Sequence, residues 1–450
     1  MKWTRMNTLL TLSLGLFAGA ACNEAGGSAG LAASVDSIDG IPRYTYPAEG
    51  GATLPWSRDT TALVGEAFSD EDVYQFDRVP NGGIAGDAEG NLFILDVAGG
   101  RVLSFDAAGQ HRATYGRQGE GPGELAQPFG IGVGVGDTVW VLDPFNSRFT
   151  GFPEAGGEPR VVTIAGTRGF PSPAFAVRPS GFVIQGSPPI RLEGGGAVAF
   201  GAVRARAATP AGGRAAGPPP RLAEDSDTAD NSIPIQRVSF SGETSTLWRS
   251  APPEMNTAQL GGGGDRNRTV VMIRMQAAFT PTLRWAAFQD GGLVVSEKDV
   301  YELTLVAPDG TRRGVIARNM APWPVTDVEK EHARQQVRER SISVRGTNID
   351  MGPIIEQQIA SMTFAETVPR IAGLAVDAQD RIWVGVALDT PGQVDRVDLY
   401  SKTGEFLGSL DNVAIPDAFF PDGRAASLFR DPDTDIQRVA VYRLVEGTPR

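Results

Sequence analysis

The chain has 450 residues, a formal net charge of −12 and a hydrophobic content of 41%. Because an acidic surface repels phosphate backbones and anionic lipid, we expect no nucleic-acid partner. Glycine (56 residues) and proline (32 residues) are abundant, which favours many short strands joined by tight turns over a helical protein.

The first predicted element is an export signal at residues 1–21. A basic start precedes an apolar stretch at 9–21, which is shorter than the ~20 residues that a membrane-spanning helix needs. The stretch ends in three small residues followed by Cys22. This arrangement resembles the signals of bacterial lipoproteins, in which the cysteine is lipidated and becomes the mature N-terminus.

Cys22 is the only cysteine, so it cannot form a disulfide within the chain. We predict that Cys22 is lipidated and that the small, polar residues of 22–45 form a flexible tether. The alternative is an ordinary secretory signal with Cys22 as a free thiol. Lipidation predicts a cell-envelope protein outside the cytoplasm that touches the membrane only through its N-terminal lipid.

The body of the chain is repetitive. Residues 82–109 and 129–156 superpose without a gap at an offset of 47 residues, and 372–404 is a third copy with a longer loop. Degenerate copies lie at 174–186 with 238–243, and at 286–310. Each copy contains alternating strands separated by Gly/Asp turns, which is typical of one antiparallel blade.

A repeat of this length with four short strands predicts a β-propeller, because a single blade leaves both faces unburied and needs neighbours around a ring. We predict an all-β fold for residues 46–450, namely a six-bladed β-propeller of four-stranded antiparallel blades with a small helical insertion. The last blade lacks one strand, and residues 60–68 are expected to supply it and close the ring.

The connector YGRQGEGPGELAQPFGIGV (115–133) between the first two blades resembles the connector of the NHL-repeat family, and Asp143, Asn146, Arg148 and Phe149 match the motif that follows it. The segment 431–447 is similar to the C-terminus of bacterial six-bladed propeller lipoproteins. These resemblances imply the fold and not an activity.

Two insertions interrupt the repeats. The loop insertion at 190–232 is rich in Ala, Pro, Gly and charge, and 261–268 is a glycine-rich hairpin tip. The helical insertion at 324–362 contains a helix to about Arg340, with Thr326 and Glu329 as a capping box, and a second helix after Pro353. Its helices are either a lid or partner surface, or a packing cap on the ring.

The most regular polar feature is a repeated Asp/Arg pair. A loop of four residues separates Asp96 from Arg101 and Asp143 from Arg148, which would let the partners of each pair meet across a blade rim. We predict ligand contacts from the loop residues Asp96, Arg101, Asp143, Phe145, Asn146 and Arg148. The alternative is that the pairs are salt bridges that stabilise the blades.

Conventional catalytic sites are difficult to build from this sequence. The two histidines, His111 and His332, are on different elements, and Cys22 is in the tether, so a zinc site, a His-based triad or a cysteine nucleophile is not expected. We therefore predict a monomeric binding or scaffold module, without a required cofactor, for a protein, peptide or glycan ligand.

The alternative function is a calcium-dependent lactonase or esterase. Six-bladed propellers of the paraoxonase and gluconolactonase type hold Ca²⁺ in the central channel through acidic and amide oxygens. This chain has Asp96, Asp143 and Asn146 in loops, and Asp290, Asp377 and Asp380 in blade turns. Such residues are also the default choice for turns between strands, so calcium stays a possible ligand rather than an expected one.

Overall fold

The computed structural model describes residues 31–446, apart from 67–68, 70, 77, 165–171, 173–174, 187–231, 261–270, 343–351 and 412. Cys22 and nearly all of the loop insertion therefore lie outside the described residues. The described N-terminal part contains three strands, β1 (Ser34–Ile38), β2 (Ile41–Tyr46) and β3 (Trp56–Val64).

Six four-stranded antiparallel units then follow around a ring, as predicted. Their first three members are blade 1, with β4 (Ile84–Gly86), β5 (Leu92–Asp96), β6 (Arg101–Phe105) and β7 (His111–Tyr115); blade 2, with β8 (Gly130–Gly134), β9 (Thr138–Asp143), β10 (Arg148–Pro153) and β11 (Arg160–Thr163); and blade 3, with β12 (Phe175–Arg178), β13 (Gly181–Gln185), β14 (Ile233–Val238) and β15 (Thr244–Ser250).

A two-stranded hairpin, β16 (Met255–Leu260) and β17 (Val271–Gln276), separates blade 3 from blade 4. The remaining strands are those of blade 4, β18 (Arg284–Ala287), β19 (Leu293–Ser296), β20 (Glu302–Val306) and β21 (Arg312–Arg318); blade 5, β22 (Ile371–Val376), β23 (Ile382–Val386), β24 (Arg396–Tyr400) and β25 (Phe406–Asp411); and blade 6, β26 (Ala418–Phe419), β27 (Arg424–Arg430) and β28 (Gln437–Glu446).

The ring closes through the N-terminal strand β3, which pairs with β28 as the outermost strand of blade 6. The sequence predicted this closure at 60–68, and the observed strand begins earlier, at Trp56. This closure joins the N-terminal and C-terminal parts of the chain in one sheet, and it removes a free edge from the last blade.

The first strands of neighbouring blades contact each other and form the inner wall of the ring. Glycine is common on these strands because the blades approach closely there. A Cβ added at Gly86 would lie 2.3 Å from the ring of Phe420, and one at Gly132 would lie 2.7 Å from Val177. Both contacts join adjacent blades, so any larger residue would push two blades apart.

The core is divided among the blade interfaces. In the described part of the chain, six clusters of buried apolar residues each lie between two neighbouring blades. Within β5, Leu92 and Ile94 pack toward blade 6, whereas Phe93 and Leu95 pack toward blade 2. The middle strands of blades are therefore apolar on both faces.

The prediction of a flexible tether at 22–45 is wrong for the described residues 34–45. Strand β2 pairs in parallel with β21 on the outside of blade 4, β1 pairs with β2, and blade 4 becomes a six-stranded sheet. The reason is the sequence IPRYTY, in which Tyr46 is buried in the cluster between blades 4 and 5 and Tyr44 packs against it.

The helical insertion contains α1 (Asp327–Ile342) and α2 (Gly352–Ala360), which contact each other. The predicted capping box is present, because the backbone N–H of Thr326 donates to Glu329 Oε2 at 2.8 Å. In the ranges that the structure describes, neither helix has the length and apolar character needed to cross a membrane.

The two ends of the ring differ. At one end of the ring, the second strand of each blade turns into the third, and the fourth strand leads to the next blade. We call this end the insertion face. The hairpin β16–β17 and the helices α1 and α2 occupy connections between blades, and the chain leaves β13 and returns to β14 at this same end. The opposite end, with tight turns, is called the turn face.

Candidate functional site

The predicted ligand residues of blade 1 lie on the insertion face and are engaged within the protein. The buried carboxylate of Asp96 accepts hydrogen bonds from Arg101 Nε at 3.2 Å and from the backbone N–H of Arg78 at 3.3 Å. Arg101 also forms an ion pair with Asp72. The predicted Asp96–Arg101 pair exists, and it joins the blade to the segment before β4.

The equivalent residues of blade 2 hold the connector 116–127. Asp143 is fully buried and accepts hydrogen bonds from the backbone N–H of Ala126 at 2.8 Å and of Gln127 at 3.2 Å. Asn146 Nδ2 donates to Asp143 Oδ2 at 2.8 Å and to the carbonyl of Gly119 at 3.2 Å.

The predicted meeting of Asp143 with Arg148 is wrong. Arg148 NH2 instead donates to the carbonyl oxygens of Gly121 and Glu124, at 2.7 and 2.8 Å. The connector folds back over this rim and offers carbonyl oxygens at closer range, while its N–H groups take the carboxylate of Asp143. The pair therefore holds one connector from two sides without an ion pair between its members.

Phe145 differs from the other five predicted residues. Its side chain is 45% exposed on the insertion face, and its ring lies edge-on to Phe129 with a centroid distance of 6.3 Å. Part of its ring is therefore accessible on the insertion face, whereas the polar members of the set are engaged by the connectors.

The carboxylates considered for calcium are distributed over several local networks. Lys402 Nζ lies between Asp290 Oδ2 (2.8 Å) and Asp380 Oδ2 (2.7 Å) on the turn face. Asp377 accepts from Arg381 Nε at 2.6 Å and from Trp383 Nε1 at 2.9 Å. Within the described ranges, no group of three or more His, Cys, Asp or Glu side chains is placed to hold a metal ion.

A cavity of about 140 Å³ opens on the insertion face between blades 4 and 5, and we call it the blade 4–5 pocket. Its lining contains polar side chains from blade 4 and the connector before it, and apolar residues from the connector to blade 5 and from β22. The lining residues are Phe279, Thr280, Thr282, Arg284, Ser296, Lys298, Val368, Pro369, Ile371, Ala372 and Gly392.

Arg284 is the first residue of the inner strand β18, and its side chain lines this pocket. Among the described residues, its guanidinium has no hydrogen-bond, ion-pair or ring partner. Burial lowers the pKa of its guanidinium, and no carboxylate counteracts that shift. The guanidinium nevertheless stays charged at neutral pH, because arginine titrates far above it. The pocket thus contains a partly desolvated cation whose donors make no hydrogen bond to any residue that the structure describes.

Lys298 adds a second cation at the pocket. Its Nζ lies 2.5 Å from Glu302 Oε1, and Glu302 Oε2 is also 2.7 Å from Arg43 NH1 of strand β2. One carboxylate is thereby shared by two cations. Two further carboxylates lie close in sequence: Asp299 accepts a hydrogen bond from Thr367 Oγ1 at 2.5 Å, and Glu297 accepts one from Trp248 Nε1 at 3.2 Å. The charged residues that line the pocket itself are Arg284 and Lys298.

Hydroxyl groups complete the polar side of the pocket. Thr280 Oγ1 donates to the carbonyl of Ala277 at 2.7 Å. Thr282 and Ser296 make no side-chain hydrogen bond within the described part of the chain. Ser296 is paired with Arg284 across β18 and β19, so this hydroxyl lies on the strand next to the guanidinium.

The rim of the pocket is fixed to the segment 363–365, which follows the helical insertion. The backbone N–H of Ala278 donates to Thr363 O at 2.8 Å, and that of Ala365 donates to Ala278 O at 2.9 Å. Between these bonds and the pocket lies Phe279, a non-glycine residue with a φ of 67°. The 363–365 segment therefore holds the lip of the pocket next to a residue whose conformation is rare for its type.

The sequence did not point to Arg284. The degenerate blade 4 repeat begins at residue 286, and an arginine two residues earlier is indistinguishable from an exposed charge at a strand end. What marks Arg284 as a candidate binding residue is that its guanidinium lacks a partner among the described residues. This property depends on the packing of blade 4 against blade 5. A second inner-strand arginine, Arg178, shows the contrast, since it donates to the carbonyl oxygens of Ala287 (2.6 Å) and Phe288 (2.8 Å), and burial lowers its pKa to about 10.

Comparisons with known proteins give similarity in fold only. No family model matches the chain, and no curated protein matches it. Among solved structures, a protein from Bacteroides fragilis described as exported is 10% identical, with 90% of this chain and 99% of that chain covered and a TM-score of 0.43.

Two further similar structures are a gluconolactonase from Xanthomonas campestris (13% identity, 88% and 98% covered, TM-score 0.35) and the calcium-binding protein regucalcin from Agrobacterium tumefaciens (9% identity, 89% and 99% covered, TM-score 0.35). At such identities and TM-scores these proteins do not bear on the function of this chain. The fold defines it as a six-bladed β-propeller with a basic pocket on its insertion face.

Proposed function

We propose that this protein is an extracytoplasmic propeller that binds its partner through an anionic group seated in the blade 4–5 pocket. The observation that carries the proposal is Arg284, a guanidinium that is partly desolvated, lines a cavity and has no partner in the described part of the chain. Charged hydrogen bonds from arginine to an anion are among the strong ones, and they offset the cost of burying the cation.

The surroundings of Arg284 support an anion rather than a cation as the bound group. Lys298 and the hydroxyls of Thr282 and Ser296 line the same cavity, and all of them are hydrogen-bond donors. The chain as a whole is acidic, with a net charge of −12, so this pocket is a local exception. A localised positive site on an acidic protein favours one anionic group over nonspecific binding to polyanions.

The export signal and Cys22 support a location in the cell envelope with a lipid anchor. The partner is a protein, peptide or glycan bound without turnover by a monomeric propeller. Phe145, exposed on the same face, is a candidate for an additional contact away from the pocket.

The test is the thermal stability of the purified protein in sodium acetate compared with sodium chloride of equal ionic strength. A ligand that binds the folded state raises the unfolding temperature as its concentration exceeds the dissociation constant. We expect a rise in acetate for the wild type and for Arg160→Gln, a matched control at an exposed arginine of β11. We expect no rise for Arg284→Gln. An equal response of Arg284→Gln and the wild type would overturn the proposal.

A further inference from the structure

We propose that the blade 4–5 pocket recognises the free C-terminus of a peptide whose last side chain is short and aliphatic. The inference rests on the proposed function, because it names the chemical class of the anion that Arg284 binds.

The two walls of the pocket have different chemistry. The blade 4 wall contributes Arg284, Ser296 and Lys298, and the opposite wall contributes the half-buried Pro369 and Ala372 beside the buried Val368 and Ile371. A ligand that fills the pocket must therefore present an anion to one side and an apolar group to the other. The last residue of a peptide does both, because its carboxylate and its side chain are attached to the same carbon atom.

Other anions would make favourable contacts with only one wall of the pocket. Inorganic phosphate or sulfate would pair with Arg284 and leave the apolar wall uncovered. A uronic acid would turn ring hydroxyls toward Pro369 and Ala372, where they would lose hydrogen bonds to water without gaining partners. The volume of about 140 Å³ limits the side chain to a short one.

Phe279 supplies the third side of this arrangement. It lines the pocket with a φ of 67°, a left-handed conformation that is strained for a residue other than glycine. The backbone on either side is held, because Ala278 is bonded to the 363–365 segment and the N–H of Thr280 donates to the carbonyl of Ala277 at 3.2 Å. The fold thereby fixes an aromatic ring at the lip, where it would cover an aliphatic side chain.

The experiment measures the affinity of peptides Gly-Ser-Gly-Ser-Gly-Xaa, with Xaa as Ala, Val, Trp or Asp, by isothermal titration of the purified protein. Each peptide is compared as the free acid and the C-terminal amide. We expect the Ala and Val acids to bind at least tenfold more tightly than their amides and than the Trp and Asp acids. Arg284→Gln should remove the difference between acid and amide, and Arg160→Gln should keep it.

Phe279→Gly tests the lip separately. Glycine tolerates the left-handed conformation, so the variant should unfold at the wild-type temperature or above it, while the preference for Ala and Val over Trp and Asp decreases. Acids and amides of equal affinity, or glucuronate binding more tightly than every peptide acid, would overturn the inference. If acetate still stabilises the wild type and not Arg284→Gln, only the peptide inference fails. If acetate also has no effect, the proposed function fails with it.

Discussion

The guanidinium of Arg318 lies 2.6 Å from the carboxylate of Asp398, and both side chains are completely buried between blades 4 and 5. Asp398 also accepts hydrogen bonds from Tyr301 at 3.0 Å and Ser409 at 2.7 Å. Arg318 donates in addition to the carbonyl oxygens of residues 47 and 50, both at 3.1 Å. One buried ion pair thus joins two blades to the segment that leads toward the closing strand β3.

Asp398→Asn should strongly destabilise the ring. The change leaves the guanidinium of Arg318 buried without its counter-charge, and breaking a buried pair in this way costs about 3–5 kcal/mol. The measurement is the free energy of unfolding in urea. Asp389→Asn, at an exposed carboxylate of the same blade, serves as the control and should change it by less than about 0.5 kcal/mol. Equal stability of the two variants would contradict this role for the pair.

The protein should lose stability above about pH 10. Burial, with a further contribution from Asp398, raises the pKa of Tyr301 well above its ordinary value, and burial likewise raises the pKa of Tyr400, whose hydroxyl is 3.1 Å from that of Tyr301. Both groups are protonated in either state below pH 10, so their contribution is complete there. Above pH 10 the unfolded chain ionises first, and stability falls by up to about 1.4 kcal/mol per pH unit for each tyrosine.

Urea unfolding between pH 9 and 11 measures this slope. Tyr46, Tyr115 and Tyr442 also have pKa values raised by burial and contribute to it. The double variant Tyr301→Phe, Tyr400→Phe should therefore retain a shallower slope. A slope identical to that of the wild type would show that the pair does not govern the alkaline response.

Asp143→Asn should loosen the connector between blades 1 and 2. The carboxylate accepts three N–H donors, two at Oδ2 and one at Oδ1, and in either orientation an amide would face at least one of them with its own NH2 group. We expect a loss of about 1–3 kcal/mol in unfolding free energy, and an unchanged response to acetate. Asp137→Asn is the control, because asparagine tolerates its φ of 50°. Loss of the acetate response in Asp143→Asn would assign this residue to the binding site instead.

The start of α1 should loosen in acid. The hydrogen bonds from Thr326 lower the pKa of Glu329 to about 2, below its ordinary value of 4.5. The contribution of this cap is therefore complete above pH 4.5 and is lost as the pH falls toward 2. The measurement is the protection of the Thr326 amide against hydrogen exchange, which should fall over this range in the wild type and vary less in Glu329→Gln. Neighbouring Glu331, whose pKa is lowered by Arg338 and Arg334, titrates in the same helix, so a Glu331→Gln variant is needed as a reference.

The fold was largely predictable because it rests on local, repeated patterns. The repeat at 82–109 and 129–156 predicted the strand order of one blade, and its recurrence predicted six blades. The incomplete last blade indicated a closing strand near residue 60. The parallel addition of β2 to blade 4 was not predictable. The sequence IPRYTY has the alternating pattern of any strand, and this pattern does not indicate which strand it pairs with. Its position is decided by long-range burial of Tyr46.

The candidate site was much less predictable. The regular spacing of Asp and Arg predicted ligand contacts at these positions. The structure instead places Asp96, Asp143 and Arg148 in contacts that hold connectors. Arg284 belongs to no motif, and its lack of a partner emerges only when two blades pack together. A polar residue that recurs in every repeat usually stabilises the repeat structure, whereas a binding residue more often occurs in a single repeat.

The most direct measurement is a crystal structure of the protein with N-acetyl-alanine, a free carboxylate beside a methyl group. We expect the ligand in the blade 4–5 pocket, with a carboxylate oxygen about 2.7–2.9 Å from the guanidinium of Arg284 and the methyl group against Pro369 or Ala372. A ligand bound elsewhere on the ring while this pocket holds only water would contradict it.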